Sequence, residues 1–297
     1  MTIIRPRASA AAGAFALSEW GLLAGIALMW GSSFLLIEVA LESLAPAVIT
    51  LLRIGFGTLT LVWFKRARVA VDRSDLGAIA LLGIFWMAGP MLLFPIAQQW
   101  IDSSLAGMIN GGVPVFASVV AALVIRRAPS TKQIVGILIG LAGVIAVGWP
   151  AVQGARATAL GAALVLLATM SYGVAINIAV PLQKKYGSLP VLLRAQVVAL
   201  LITLVPAVFS LSSSEFSLQG VAATVPLGVL GTGLAFVLMA TLVGRVGAAR
   251  GSIAVYFIPV VAIVLGAVFR SESIAALSLA GTALVLAGAY LTSRSNG

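Results

Sequence analysis

The chain has 297 residues, of which 61% are hydrophobic and only 9% charged, against about 25% charged in soluble domains; this composition excludes a water-soluble fold and reads as all-α integral membrane. The absence of Cys and His excludes disulfides, thiolate chemistry and most transition-metal sites, so no metal and no cofactor are expected. The net charge of +10 falls in short clusters between apolar runs, a topology signal that points to a lipid bilayer as partner and not to nucleic acid.

Residues 1–17 carry Arg5 and Arg7 ahead of an Ala-rich stretch. That stretch lacks the Leu, Val or Ile core of a cleaved signal and reads as a cytoplasmic tail. Apolar runs of about 20 residues, enough to cross about 30 Å of hydrocarbon, then recur. They lie near 18–41, 46–64, 75–97, 103–125, 132–150, 158–180, 189–211, 218–242, 248–269 and 274–292, with a second short tail at 294–297. Connections are too short for an inserted soluble domain.

Positive charge orients these ten spans. With the N-terminus inside, the inner segments hold Arg5, Arg7, Lys65, Arg66, Arg68, Arg73, Arg126, Arg127, Lys132, Lys184, Lys185, Arg245, Arg250 and Arg294. The outer segments hold only Arg156 and Arg270, and Arg53 and Arg194 sit within spans. Both termini are therefore expected in the cytoplasm of a cell with a multi-pass inner (plasma) membrane protein.

The fourth and ninth spans are alike. "MINGGVPVFASVV" (108–120) and "SIAVYFIPVVAIV" (252–264) each centre a proline, and Pro259 follows Pro114 by 145 residues (259 − 114). At the same offset Gly83 falls on Gly228, Gly136 on Gly281 and Gly143 on Gly288. Two five-helix repeats follow, over 18–150 and 151–293. An odd number of spans inverts the second repeat, and inverted repeats around a central cavity are the mark of an alternating-access carrier.

In "ALMWGSSFLLIEVAL" the stretch Trp30-Gly31-Ser32-Ser33-Phe34, in the second span "LLRIGFGTL" with Arg53, and the long blocks spanning the fourth-to-fifth and ninth-to-tenth spans resemble the drug/metabolite transporter superfamily. The similarity is to its ten-span EamA-type members and covers nearly the whole chain. It implies a secondary transporter exporting small metabolites, amino acids foremost, across a bacterial inner membrane. The chain departs from that pattern in "SYGVAI" (171–176), where Tyr172-Gly173 replaces Trp-Gly.

A proline inside a helix removes the bond to residue i−4 and kinks the chain, so Pro114 frees the carbonyl of Asn110 and Pro259 that of Val255. In lipid such a carbonyl must face protein or a watery cavity. The prolines, with Gly111 and Gly112, are expected as hinges; a simple packing kink is the alternative. Trp30, Ser33 and Phe34 share a helical face, and with Trp86, Asn110, Tyr172 and Tyr256 they are candidate cavity residues for substrate. Arg53 is a candidate carboxylate contact, or a gate residue paired with Glu38 or Glu42; Arg194 is read the same way. Gly136, Gly140 and Gly143, with Gly281 and Gly288, read as close helix contacts that buttress the bundle.

No catalytic residue is expected. Serine–histidine and zinc mechanisms need His, and paired intramembrane aspartates are absent, so the chain is not read as an enzyme. A multidrug exporter of cations would need a carboxylate at mid-membrane; none of Glu19, Glu38, Glu42, Asp72, Asp75, Asp102, Glu215 and Glu272 lies there. An amphipathic zwitterion such as an amino acid suits the aromatics, amides and freed carbonyls better. Downhill export is the simpler coupling, with proton antiport through Glu38 as the alternative, and a monomer is the expected state.

Overall fold

Lipid offers no hydrogen bonds, so each span must satisfy its own backbone, and a helix does so within one segment. The computed structural model describes residues 16–125, 130–153 and 156–294. Most of the two expected tails, including Arg5 and Arg7, and the pair Arg126 and Arg127 lie outside the described residues. Among the described residues there are helices and no strand.

Among the described residues ten helical spans follow one another. They are α1 (Leu17–Leu41), α2 (Pro46–Val62), α3 (76–97), α4 (103–125), α5 (Thr131–Gln153), α6 (Arg156–Tyr186), α7 (Ser188–Phe209), α8 (218–246), α9 (248–270) and α10 (Ala276–Arg294). Eight are long and apolar enough to cross a membrane, and Pro46–Val62 and Ala276–Leu291 are shorter apolar helices. Local chemistry sets several starts: Pro46 opens α2, where its missing N–H is not needed, and Ser217 Oγ accepts from the Gly220 N–H at the head of α8. Leu138, Leu201, Val205, Val268 and Phe269 are exposed. On a soluble protein such a surface would aggregate; here it is the face that meets lipid.

Four spans are irregular, at matching places in the two repeats. Helices α3 and α8 carry a π turn, at Gly83–Ala88 and Val229–Leu234. Helices α4 and α9 are interrupted: Ser103–Asn110 gives way to Val113–Ile125, and Ile253–Tyr256 to Ile258–Arg270. Where kinks are expected, the regular helix is interrupted for one or two residues, with Gly111 and Phe257 keeping right-handed helical dihedrals. Each proline sits at the second position of a new half-helix, where the missing N–H costs nothing. The two breaks touch, since a Cβ on Gly111 would lie 2.7 Å from Pro259 Cγ.

The repeats interleave. Helix α1 packs on α8 and α9, and its counterpart α6 packs on α3 and α4, so the first helix of each repeat rests on the third and fourth of the other. Helix α2 packs on α7, and α5 on α10. The last pair is the tightest, because glycines let the backbones meet. A Cβ on Gly143 would fall 2.5 Å from Val285 N, and one on Gly281 2.7 Å from Val147 N.

Candidate functional site: a central cavity with one charge

Between the interleaved helices lies a cavity of about 280 Å³. Its wall is aromatic. Trp30 stands edge-on to Phe236 at 5.2 Å between ring centroids, and Trp86 meets the same ring at 5.6 Å. Phe34 meets Phe94 edge-on at 5.4 Å, and Phe94 stacks on Tyr172 at 6.1 Å. These offset and T-shaped contacts hold large flat side chains in fixed orientations. The Trp30 indole is further held by its Nε1–H, which donates to the Gly231 carbonyl in the π turn of α8 at 2.9 Å.

Polar groups in this wall are few. Ser33 lines the cavity, though its hydroxyl donates to the Met29 carbonyl of its own helix at 3.0 Å. Asn110, at the end of the first half of α4, lines the cavity and is 8% exposed. Its Oδ1 is buried without a hydrogen-bond partner. Gln183 and Ser188 mark one end of the cavity, on the side where Lys184 and Lys185 stand.

Among the described residues lining the cavity, Arg53 of α2 is the one that is charged, and no acidic side chain joins it. It is 6% exposed. Its Nε–H donates to Thr232 Oγ1 at 2.9 Å, and no carboxylate pairs with it among the described residues. Glu38 and Glu42, the expected partners, are both clasped by Arg270 at the end of α9. Its Nε reaches Glu38 Oε1 and its Nη1 reaches Glu42 Oε1, each at 2.7 Å. Sequence position alone had placed Arg270 in an outer loop; the fold brings α9 alongside α1 and so delivers it to these carboxylates.

The other candidates fall as follows. Trp30, Phe34, Trp86 and Tyr172 line the cavity with Ser33 and Asn110. Tyr256 does not: its hydroxyl donates to the Ala289 carbonyl of α10 at 3.0 Å, and the neighbours Val255 and Ile258 line the cavity in its place. Arg194 does not reach the cavity either. Its Nη1 donates to the Pro190 carbonyl at 3.0 Å, and to that of Ala67 at 3.5 Å, tying α7 to the α2–α3 connection. Pro114, Pro259, Gly111 and Gly112 all lie at the breaks. Phe94, Phe236 and Met239 also line the cavity, and no sequence signal separates them from ordinary apolar residues of a span. Thr232 has no direct signal either, beyond its place in "GTG" at a π turn.

On α1 the cavity lining runs from Trp30 to Ile37, and next along the helix Glu38 and Glu42 belong to a polar cluster. There Glu272, in the α9–α10 connection, accepts from the Ser103 N–H at 3.0 Å, the Ser103 hydroxyl at 2.6 Å and the Ser104 N–H at 2.9 Å. It thereby caps the start of α4, whose own N-cap residue Asp102 makes no side-chain cap. Burial works to raise Glu272, but the hydrogen bonds from Ser103 and Ser104 outweigh it and hold the carboxyl below its ordinary value. At the other face Lys185 is 2.8 Å from both Asp72 and Asp75.

The comparisons with known proteins fit this architecture. Among curated relatives, an "Uncharacterized transporter" of Archaeoglobus fulgidus is 25% identical over 94% of this chain and 99% of its own. A "Probable terminal-alkyne amino-acid exporter" of Streptantibioticus cattleyicolor is 28% identical over 93% of each chain. A "Probable amino-acid metabolite efflux pump" of Salmonella typhimurium is 23% identical over 90% of this chain and 91% of its own. A solved crystal structure has a similar fold, with a TM-score of 0.65 at 16% identity, covering 92% of this chain and 96% of that one. The model of the EamA-like transporter family matches twice, over residues 19–149 and 159–294. A twofold family match, laid over two sets of helices that share π turns, breaks and glycine contacts, makes this polytopic chain a member of the EamA-like transporter family.

Proposed function

We propose that the protein exports amino acids or similar small zwitterions across the inner membrane of a bacterium, by alternating access, with both termini in the cytoplasm. The observation that carries this reading is the cavity: aromatic-walled, of a size for a small metabolite, with one buried cation and no acidic side chain among the described residues that line it. A wall of that chemistry accommodates an apolar side chain and offers an anion partner. The names of the relatives from Streptantibioticus cattleyicolor and Salmonella typhimurium support amino acids as the class. A cationic-drug exporter is the weaker reading, since a lipophilic cation would meet Arg53 and no counter-charge.

Reconstitution tests the choice. Liposomes holding the purified protein should exchange labelled amino acids with the outside, and cells overexpressing it should survive toxic amino-acid analogues. Protection against lipophilic cationic dyes, with no amino-acid movement in liposomes, would overturn the assignment.

A further inference from the structure

Resting on the transport reading above, we propose that Arg53 is the carboxylate anchor of the substrate site and that Thr232 and Gln196 are its positioning residues. The carrier would then select ligands by their carboxylate and discriminate against amines of the same shape.

Several independent features lead there. A guanidinium nine-tenths buried in a membrane protein is costly unless paired. The obvious partners are taken: Glu38 and Glu42 by Arg270, Glu272 by Ser103 and Ser104. Only Nε of Arg53 is engaged, by Thr232 Oγ1, and the two terminal nitrogens make no hydrogen bond among the described residues. The fork that binds carboxylates bidentately is thus unused, on a residue that lines the cavity.

The side chain is also held from behind. Thr232 Oγ1 donates to the Leu227 carbonyl at 3.1 Å, an i−5 contact at the π turn of α8. Gln196 of α7, fully buried, donates from Nε2 to the Thr232 carbonyl at 2.8 Å, and Thr58 of α2 donates to Gln196 Oε1 at 3.2 Å. This chain runs from α2 through α7 and α8 back to α2, fixing where the guanidinium sits. A π turn that aims one hydroxyl at one arginine is the kind of local irregularity found at functional positions. Another polar group of the cavity, Asn110, has a buried Oδ1 without a partner. A turn of that amide would offer an acceptor to an ammonium group.

Competition in liposomes tests this without any variant. Against labelled phenylalanine, chosen for the aromatic wall, 3-phenylpropionate should compete and phenethylamine, which lacks the carboxylate, should compete at least about tenfold less well. Phenethylamine competing as well as phenylalanine would overturn the anchor. Arg53→Gln should raise the KM for phenylalanine by about tenfold or more and erase the difference between the two competitors; a variant that keeps the difference would overturn it too. Thr232→Val leaves the charge in place but loses its orientation, so KM should rise several-fold with kcat little changed, while Thr232→Ser restores KM. If Thr232→Val and Thr232→Ser behave alike, the positioning role fails. If no amino acid moves at all, the transport reading itself fails, whereas transport without carboxylate selection removes only this assignment.

Discussion

Asn110 poses the sharpest question at the scale of single residues. An amide acceptor buried without a partner costs about 1–3 kcal/mol, and the fold carries it in the middle of a span. Asn110→Leu keeps the volume and removes that penalty, so the thermal midpoint in detergent should stay level or rise by a few degrees while the proposed amino-acid transport falls at least about tenfold. A variant less stable than the parent that still transports would mean the amide is structural. The residues that stood out in sequence did so because they contrast with Leu, Val and Ala: Trp30, Trp86, Asn110 and Tyr172 are conspicuous at mid-span, and they line the cavity. Phe94 and Phe236 were illegible because a phenylalanine in a span is ordinary. Tyr256 shows the converse, a polar tip near a break that is satisfied by a backbone carbonyl on the next helix.

At the scale of helices, glycine does two different jobs within α5. A Cβ on Gly143 would strike the α10 backbone at Val285 N, which cannot move aside, whereas nothing lies within 4 Å of a Cβ on Gly148. Gly143→Ala should therefore cost about 1–3 kcal/mol through overpacking. Gly148→Ala should be neutral or gain up to about 1 kcal/mol from helix propensity. Thermal melts of the two variants side by side check this, and equal midpoints would show that α5 and α10 do not depend on backbone contact. The pairing of Gly136, Gly143, Gly281 and Gly288 was readable from a shared offset, since small residues at fixed spacing have few other uses in lipid. The π turns were not. They arise from the hydrogen-bond register inside α3 and α8, which hydropathy does not encode, and the prolines of α4 and α9 signalled bending without revealing that new half-helices begin there.

At the scale of the molecule, the cavity lining runs from Gln183 and Ser188, beside Lys184, to Ile37, and beyond Ile37 the second repeat latches onto the first. Arg270 holds Glu38 and Glu42 of α1, and Glu272 holds the start of α4. Between them Ser271 adopts φ 54°, the left-handed region, and is the one non-glycine to do so among the described residues; that conformation costs about 1–3 kcal/mol and persists where surroundings enforce it. Under the proposed alternating access, this latch must part. Arg270 is about a third exposed, so its pairs contribute about 1 kcal/mol after solvent screening, and Arg270→Gln should shift the closed–open balance by about three- to tenfold. The chain has no Cys, so a single Ile37→Cys reports directly: a membrane-impermeant maleimide supplied on the Glu272 side should label it that much faster when Arg270→Gln is added, and faster also with Glu272→Gln. The pH response follows from the sign of the Glu272 shift. Its carboxyl is depressed in the latched state, so its contribution is complete above the ordinary carboxylate range and lost as pH falls through the depressed value. Burial, with Glu272 beside it, raises Asp102, so Asp102 titrates earlier, and losing that charge next to Glu272 favours the latch. Through Glu272, labelling of Ile37→Cys should accordingly be flat around neutrality and rise as pH falls below the ordinary carboxylate range. A rise already near neutrality would mean that a group other than Glu272 opens this end.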